Sequence, residues 1–585
     1  MLKDKIVHWA TGNKDGIGTA LSERSHVYFT IGKGRLSETY FPSPDSIIIH
    51  SITLFLEGKV SEAGLKYSVE IPDLSAPFYK ICSKDVKKEI ITNPNADALL
   101  VRYKSLAIKN VLKIAFPLLR EFKKLNENTI LVKTKTVFLF IHINAPSTVQ
   151  RYENFILLYV NSHHFIVTIS FGKDREDAEK AFLETKKRNF EGIKNCFLNG
   201  WQEYIEKLRL KGKSVLYKRS IVAIKSMEDK NYKGATVASL AIPWGSRAAL
   251  SEKNGYHLVW VRDLFFVAFA MYLIGDEKFA NNSMGYMLSK LMRPNGSFKQ
   301  NATIKGEERW NATQMDQVAF PIILADKIGR YDLVNELEQS ADYILSNGPW
   351  SEQERWEEIA GFSPYSMSLQ ARALNVYADM RERVGLLGNK YRKGAEEFIR
   401  LIPEYCYTHK GIYTPSHYFV RISRGNPDTD KKEMSLKGKY FSPKEMVSND
   451  FLYLVFTGLY SVRHPFIKDT LRVVDDLLRV DTPKGPSFYR YNGDIYGFDK
   501  ENPKGRLWTL LTAERGIFEF LKGSDAKRYL DAMERFATSS YLLPEQVFED
   551  GTPTESATPL AWAHAAYIIL YNLINILSPN KKEII

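Results

Sequence analysis

The chain has 585 residues and a net charge of +13, with 44% hydrophobic and 25% charged residues. This length predicts two or three hydrophobic cores, and the composition excludes extensive disorder. The basic runs are short and mixed with acidic residues, so nothing in the pattern favours a nucleic-acid partner. Three widely spaced cysteines indicate a reducing compartment and no metal site. Because no signal sequence and no apolar run of membrane-spanning length stand out, we expect a cytoplasmic protein without a membrane partner.

Residues 1–173 have the pattern of an antiparallel β-sandwich. Short β-branched and aromatic runs, such as SHVYFTIG and HFIVTISFG, alternate with Gly, Pro, Asn or Asp. Many short strands joined by turns predict this architecture. Residues 174–212 are rich in charge and predict a helical linker. The strands supply no candidate catalytic group, so we expect the sandwich to support the rest of the chain structurally.

Residues 213–585 change to helical periodicity. Leu369, Ala373, Val376 and Met380, for example, recur at steps of three or four before Gly385 ends the pattern. Five pairs of predicted helices are joined by short turns: 263–275 with 277–290, 314–328 with 331–346, 366–384 with 387–402, 446–462 with 464–479, and 507–521 with 524–538. The last predicted helix, 559–577, can pair with the first, 214–229. Twelve helices paired in this way predict an all-α (α/α)6 toroid. A layered α-solenoid would show a regular sequence repeat, and we find none.

Long connections join one pair to the next, and we expect them to share one face of the toroid. They span 291–313, 347–365, 403–445, 480–506 and 539–558. Aromatic, charged and amide residues collect in and beside them: Tyr256, Trp260, Arg262, Asp263, Trp310, Gln314, Asp316, Trp356, Glu357, Glu358, Arg490, Glu545 and Trp562. Singly, each has a structural interpretation, such as a helix cap or a core residue. Together they favour a pocket for a neutral, hydroxyl-rich ligand on the loop face.

The stretch ERWEEIAGFSPYS, residues 354–366, is predicted to be a loop because Pro349, Gly361 and Pro364 surround it. Its paired glutamates have two interpretations. One is a solvated acidic turn. The other is a carboxyl group set against an aromatic side chain, an environment that raises the pKa of an acid that must donate a proton.

The order of the motifs resembles glycoside hydrolase family 15, the glucoamylases and glucodextranases, in its two-domain prokaryotic form. The resemblance is carried by residues 14–45, then GATVASLAIPWG, GYHLVWVRD, WNATQMDQVAFPIILA, RWEE and LPEQV followed by PLAWAHA. The WEE and PEQ segments are specific as a set. Two segments depart from the family: VWVRD stands where VWPRD is common, and GRLWTLLTAERG matches only loosely. The resemblance implies the same sandwich and toroid.

The resemblance also implies the role of each site residue. Glu357 matches the general acid, Glu545 the general base and Glu358 a sugar-binding neighbour of the acid. Arg490 matches a second arginine that binds the terminal sugar. The remaining matched positions line the substrate site in this family: Tyr256, Trp260, Arg262, Asp263, Trp310 and Trp356.

These roles predict hydrolysis of a glycosidic bond with inversion, which needs no metal or organic cofactor. An α-linked oligosaccharide or polysaccharide would release β-glucose from its non-reducing end. We expect Trp356 and the charge of Glu358 to raise the pKa of Glu357. A trehalase or glucodextranase activity stays open, as does a homo-oligomer. A carbohydrate-binding protein would not need both carboxylates, and a phosphorylase would not need Glu545.

Overall fold

The computed structural model describes residues 12–210, 212–242, 255–429, 433–436, 439–497, 505–576 and 584. The chain forms a sandwich of two antiparallel sheets, two connecting helices and a ring of helices, as the sequence predicts. The end of the motif GATVASLAIPWG, residues 243–245, lies outside the described residues. The proposed boundaries at 173 and 212 stay predictions.

Within the described residues, seventeen strands build the sandwich. The first sheet has the order β1-β2-β3-β5-β11-β16-β15, with β4 beside β3 and β6 beside β5; the second has the order β12-β13-β14-β17-β10-β9-β8-β7. The strands are β1 Gly16–Thr19, β2 Tyr28–Gly32, β3 Arg35–Tyr40, β4 Ile47–Ile49, β5 Ser51–Leu56, β6 Val60–Ser61, β7 Tyr67–Glu70, β8 Tyr79–Ser83, β9 Val86–Thr92, β10 Ala98–Ser105, β11 Lys109–Ala115, β12 Glu121–Asn126, β13 Thr129–Lys133, β14 Phe138–Ile143, β15 Ser147–Arg151, β16 Phe155–Asn161 and β17 His164–Gly172.

Strand β10 shows why this sandwich needs the rest of the chain. Side chains alternate between the two faces of a strand. Leu99 and Val101 point into the core between the sheets. Ala98 and Leu100 belong instead to the large core that continues into the helical part. Both faces of β10 are therefore buried, one by the other sheet and one by helices.

Helices α1 (Arg175–Lys186) and α2 (Phe190–Lys207) connect the two parts. Each starts at a capping side chain, Asp174 for α1 and Asn189 for α2, which accepts a hydrogen bond from a first-turn N–H group. Along α2 one apolar stripe is buried, and its Trp201 Nε1 donates to the carbonyl of Thr19 in the sandwich at 3.0 Å. Helix α2 thus contacts the sandwich through Trp201, and its Tyr204 hydroxyl donates to Asp276 Oδ2 of the helical ring at 2.7 Å.

In the part of the chain that the structure describes, twelve helices form six pairs in a closed ring. They are α3 Val215–Ser226, α4 Val261–Leu273, α5 Glu277–Tyr286, α6 Met315–Lys327, α7 Glu338–Asn347, α8 Pro364–Arg383, α9 Asn389–Cys406, α10 Tyr453–Phe456, α11 Pro465–Leu478, α12 Thr509–Lys522, α13 Lys527–Phe536 and α14 Ala561–Ile576. Helices α4, α6, α8, α10, α12 and α14 form the inner ring, in which α10 and the preceding turn Asn449–Leu452 lie between α8 and α12, and α14 packs on α4.

The sequences of the inner and outer helices differ as their positions require. Almost every residue of α4 is buried. The outer helix α13 buries one apolar stripe and leaves its charged face to solvent, which is the pattern of a surface helix. The inner helices therefore form the core. None of the described helices is both long and apolar enough to span a membrane.

Short strand pairs organise the loops in front of the inner helices. They are β18 Val259–Trp260 with β19 Asn301–Ala302, β20 Tyr407–Thr408 with β21 Tyr418–Phe419, β22 Met434–Leu436 with β23 Lys439–Phe441, and the sheet β24 Arg479–Thr482, β25 Gly485–Phe488, β26 Leu507–Trp508 and β27 Gln546–Val547. The last sheet joins the long connections 480–506 and 539–558. Loops far apart in sequence are thereby held together at the N-terminal ends of the inner helices.

Candidate active site

A cavity of about 390 Å³ lies among these loops, within the size of roughly 300–1,000 Å³ that is usual for small-ligand sites. All ten residues that the sequence predicts for the site line this one cavity: Tyr256, Trp260, Arg262, Asp263, Trp310, Trp356, Glu357, Glu358, Arg490 and Glu545. Arg355, Tyr496, Trp508 and Trp562 line it as well.

Glu357 lies in a strained turn at the N-terminal end of α4. Its φ is +66°, a left-handed conformation that residues other than glycine rarely adopt. Its backbone N–H donates to the carbonyl of Glu354 at 2.9 Å. Arg262 Nη2, from the first turn of α4, donates to Glu357 Oε1 at 2.9 Å, and Arg262 Nη1 donates to Asp316 Oδ2 at 3.0 Å. The turn and the arginine together fix the direction of this carboxyl group.

Burial raises the pKa of Glu357 from 4.5 to about 7, and Arg262 opposes the rise. Among the neighbouring negative charges, Asp263 raises the pKa of Glu357 most, and the expectation that Glu358 also contributes stays a prediction. Trp356 does cover the site, and its Nε1 donates to Asp450 Oδ2 at 3.0 Å. The Glu357 side chain is 19% exposed, so it is mostly buried but still accessible from the cavity.

Glu545 lies directly before β27 and has different partners. The Tyr256 hydroxyl donates to its Oε1, and the Tyr496 hydroxyl donates to its Oε2 at 3.4 Å. Burial raises the pKa of Glu545 to about 7, while these phenol hydrogen bonds and Arg490 lower it. The two phenols stabilise the ionised form, since a carboxylate accepts hydrogen bonds better than a carboxylic acid does.

Glu358 points away from Glu357 into a cluster of basic and phenolic groups. Arg421 Nη2 donates to its Oε2 at 2.7 Å, Tyr491 OH donates to the same oxygen at 2.6 Å, and Arg490 Nη2 lies 3.4 Å from its Oε1. Arg490 also forms two hydrogen bonds of 2.7 Å with Asp494. Two guanidinium groups therefore offset the charge of Glu358.

A second buried network of charged groups contacts the stretch 354–366 on the side of the inner helices. Arg355 donates to Asp450 Oδ1 at 3.1 Å and to Glu514 Oε2 at 3.0 Å. Glu514 lies within GRLWTLLTAERG, the segment whose match to the family is loose, and it is not among the predicted site residues. Arg355 and Arg421 are not among the predicted site residues either. The available signal was a pair of arginines in long loops that also hold glutamates, and it does not reveal which acid each arginine meets.

Aromatic rings form much of the cavity wall. Trp260 lies between Tyr256 and Trp310, with ring centroids 6.1 Å and 6.0 Å away. At the cavity floor Trp562 stacks on Phe266 at 5.3 Å. Gln314 and Asp316 do not line the cavity but contact Arg262 from behind. The arrangement offers flat apolar faces beside charged groups, which suits a sugar ring and its hydroxyls.

Comparison with known proteins agrees with this architecture. The family model "Glycosyl hydrolases family 15" matches residues 213–572, and "Glucodextranase, domain N" matches residues 5–114. A glucoamylase of Clostridium sp. (strain G0005) is 35% identical over 96% of this chain and 90% of its own length. An uncharacterized glycosyl hydrolase of Methanocaldococcus jannaschii is 23% identical over 65% of the chain and 61% of its own length.

Among solved structures, a bacterial glucoamylase crystallised with acarbose superposes with a TM-score of 0.91 at 34% identity, covering 97% of this chain and 95% of that one. The match extends through both the sandwich and the helical ring. From the family model and the Clostridium relative together, it follows that the chain belongs to glycosyl hydrolase family 15 and is a glycoside hydrolase.

Proposed function

We propose that this glycoside hydrolase acts on the non-reducing ends of α-glucans and their oligosaccharides, and releases β-glucose by inversion. The observation that carries the proposal is that Glu357 and Glu545 line one cavity with different partners, a guanidinium for Glu357 and two phenols for Glu545. Hydrolysis of a glycosidic bond needs one carboxyl group as acid and a second as base. The glucoamylase relative supports the choice of substrate.

Glu357 is the proposed general acid. With a pKa of about 7 it retains its proton over a substantial fraction of molecules near neutral pH, and a catalytic acid works best when its pKa lies near the working pH. Because part of the Glu357 carboxyl group is exposed to the cavity, its proton can reach the oxygen of the departing sugar. Proton transfer to that oxygen makes the alcohol a competent leaving group.

Glu545 is the proposed general base. Its partners Tyr256 and Tyr496 favour the carboxylate, which accepts a proton from water as the water attacks the anomeric carbon. Inverting enzymes keep their two carboxyl groups roughly 6.5–9.5 Å apart to leave room for this water. Since the productive form needs a proton on one glutamate and none on the other, kcat/KM should fall at both low and high pH.

The cavity floor supports action at a chain end. Trp562 closes the floor by stacking on Phe266, whose neighbours Phe265 and Phe320 lie in the packed interior of the ring. A glucan chain enters from the loop face and ends at this floor. We propose that Glu358 and Arg490 bind hydroxyls of the terminal glucose there.

Product analysis on maltotriose, isomaltotriose and trehalose tests the proposed substrate class. We expect maltotriose to be the preferred substrate of the three, cleaved to glucose and maltose, because the relative that supports the proposal is a glucoamylase. Preferred cleavage of isomaltotriose would assign a glucodextranase activity, and cleavage of trehalose alone would assign a trehalase. Glucose 1-phosphate formed only in the presence of phosphate would contradict hydrolysis.

The variant Glu357→Gln should lose hydrolysis of maltotriose but retain hydrolysis of α-glucosyl fluoride. The amide keeps the shape of the side chain but cannot donate the proton, and fluoride leaves without one. Initial rates on both substrates give the comparison. Glu352→Gln, an exposed glutamate of the same loop, is the matched control and should behave as wild type. Equal losses on both substrates would remove Glu357 from the acid role.

The variant Glu545→Ala should lower kcat by roughly 10²–10⁴-fold with a small change in KM, because the loss falls on activation of water. Azide should restore turnover by forming the inverted β-glucosyl azide, since this anion fills the vacated space and needs no deprotonation. The matched control is Glu549→Ala in the same loop, where Glu549 binds Tyr489 and Arg506. Near-normal turnover of Glu545→Ala would show that Glu545 only supports its loop.

A further inference from the structure

The start of the sandwich is paired with the loop that carries Glu545. Lys14 N donates to the carbonyl of Thr558 at 3.1 Å, and Thr558 N donates to the carbonyl of Gly12 at 2.9 Å. The residue before Thr558, Ala557, accepts a hydrogen bond of 2.9 Å from the backbone N–H of Glu545. One short segment therefore connects the sandwich to the backbone of Glu545.

A second contact reaches the partner of Glu545. Tyr40, fully buried at the end of β3, donates to the carbonyl of Leu240 at 3.1 Å, and its hydroxyl lies 3.2 Å from His257 Nε2. His257 is the neighbour of Tyr256, whose hydroxyl donates to Glu545 Oε1. The loop is further tied down because Ser239 N donates to the carbonyl of Tyr256 at 3.0 Å. Tyr40 thus contacts two described segments, one at Leu240 and one at His257, and the second presents Tyr256.

A buried ion pair joins these two contacts inside the sandwich. Lys14 Nζ donates to Glu38 Oε2 at 2.6 Å, and both side chains are almost fully buried. Glu38 lies two residues before Tyr40 on the same strand, and Thr30 Oγ1 donates to the same carboxylate. Because breaking a buried pair leaves an uncompensated charge, this pair keeps the segment at Lys14 in register with β3.

We propose that the sandwich takes part in catalysis through Tyr40, which acts as a positioning residue for the Tyr256–Glu545 hydrogen bond. The inference rests on the proposed function, because it assigns Tyr40 a role in tuning the general base. It changes the expectation from sequence that the sandwich gives structural support alone. Tyr40 is not among the described residues that line the cavity, and we propose that it acts through the segment that contains Tyr256 and His257.

The loss of the Tyr40 hydroxyl should change the pKa of Glu545, which depends on four neighbouring groups. Tyr256, Tyr496 and Arg490 lower the pKa of Glu545, and Asp263 raises it. If the loop loosens, the Tyr256 hydrogen bond weakens and the carboxylate becomes harder to form. The base must be ionised to act, so the acidic limb of the kcat/KM profile moves to higher pH.

The test compares Tyr40→Phe with Tyr28→Phe in the full-length enzyme. Tyr28 is a matched control, since it is also fully buried and its hydroxyl donates across the same interface, to the carbonyl of Glu228 at 3.2 Å, away from the cavity. We expect Tyr40→Phe to shift the acidic limb of the kcat/KM profile to higher pH by about half a pH unit. This shift corresponds to a roughly threefold loss of kcat/KM at low pH. Tyr28→Phe should not change the pH of the acidic limb, even if it lowers Tm.

A double variant separates positioning from general loosening. If Tyr40 acts through Tyr256, then Tyr40→Phe should shift the limb no further in a Tyr256→Phe background. Equal acidic limbs in wild type, Tyr40→Phe and Tyr28→Phe would overturn the proposal. If Tyr40→Phe does not fold, His257→Phe makes the same comparison from the toroid side. An inactive wild type would contradict the proposed function instead, so the two failures are distinguishable.

Discussion

Burial of two carboxyl groups in one cavity is the constraint on which the rest of this structure depends. Water stabilises an ionised carboxylate, and its removal raises the pKa of Glu357 and of Glu545 to about 7. Both groups then exchange protons near neutral pH. The toroid achieves this burial by placing the long loops over the N-terminal ends of its inner helices, where the loops exclude solvent from a cavity with a packed floor.

Buried carboxylates require buried partners, and arginines supply them. Arg262, Arg355, Arg421 and Arg490 are each at most 5% exposed and each contacts one or more carboxylates. Leaving any of these charges unpaired in the interior would be strongly destabilising. The network also separates the two glutamates of the WEE motif, because Arg262 contacts Glu357 while Arg421 and Arg490 contact Glu358.

The helical ring could be predicted from the sequence because it depends on local patterns, and the ten residues that the family resemblance selects do line one cavity. The helix pairs follow from apolar spacing and short turns, and the match to the family fixes the order of the motifs. The pairing of Arg421 with Glu358 could not be predicted, since it joins loops 63 residues apart. The positive φ of Glu357 could not be predicted either, because residues other than glycine rarely adopt it. The contact of Tyr40 with His257 could not be predicted because it joins the sandwich to the helical ring, which are far apart in sequence.

The anomeric form of the first product tests the central claim most directly, namely that Glu357 and Glu545 act as acid and base on opposite sides of the bond. Proton NMR of maltotriose hydrolysis, recorded before mutarotation, distinguishes the two anomers of the released glucose. Water activated by Glu545 attacks from the side opposite the leaving sugar, so the account predicts β-glucose. Release of α-glucose would mean retention, would make Glu545 a nucleophile, and would contradict the mechanism.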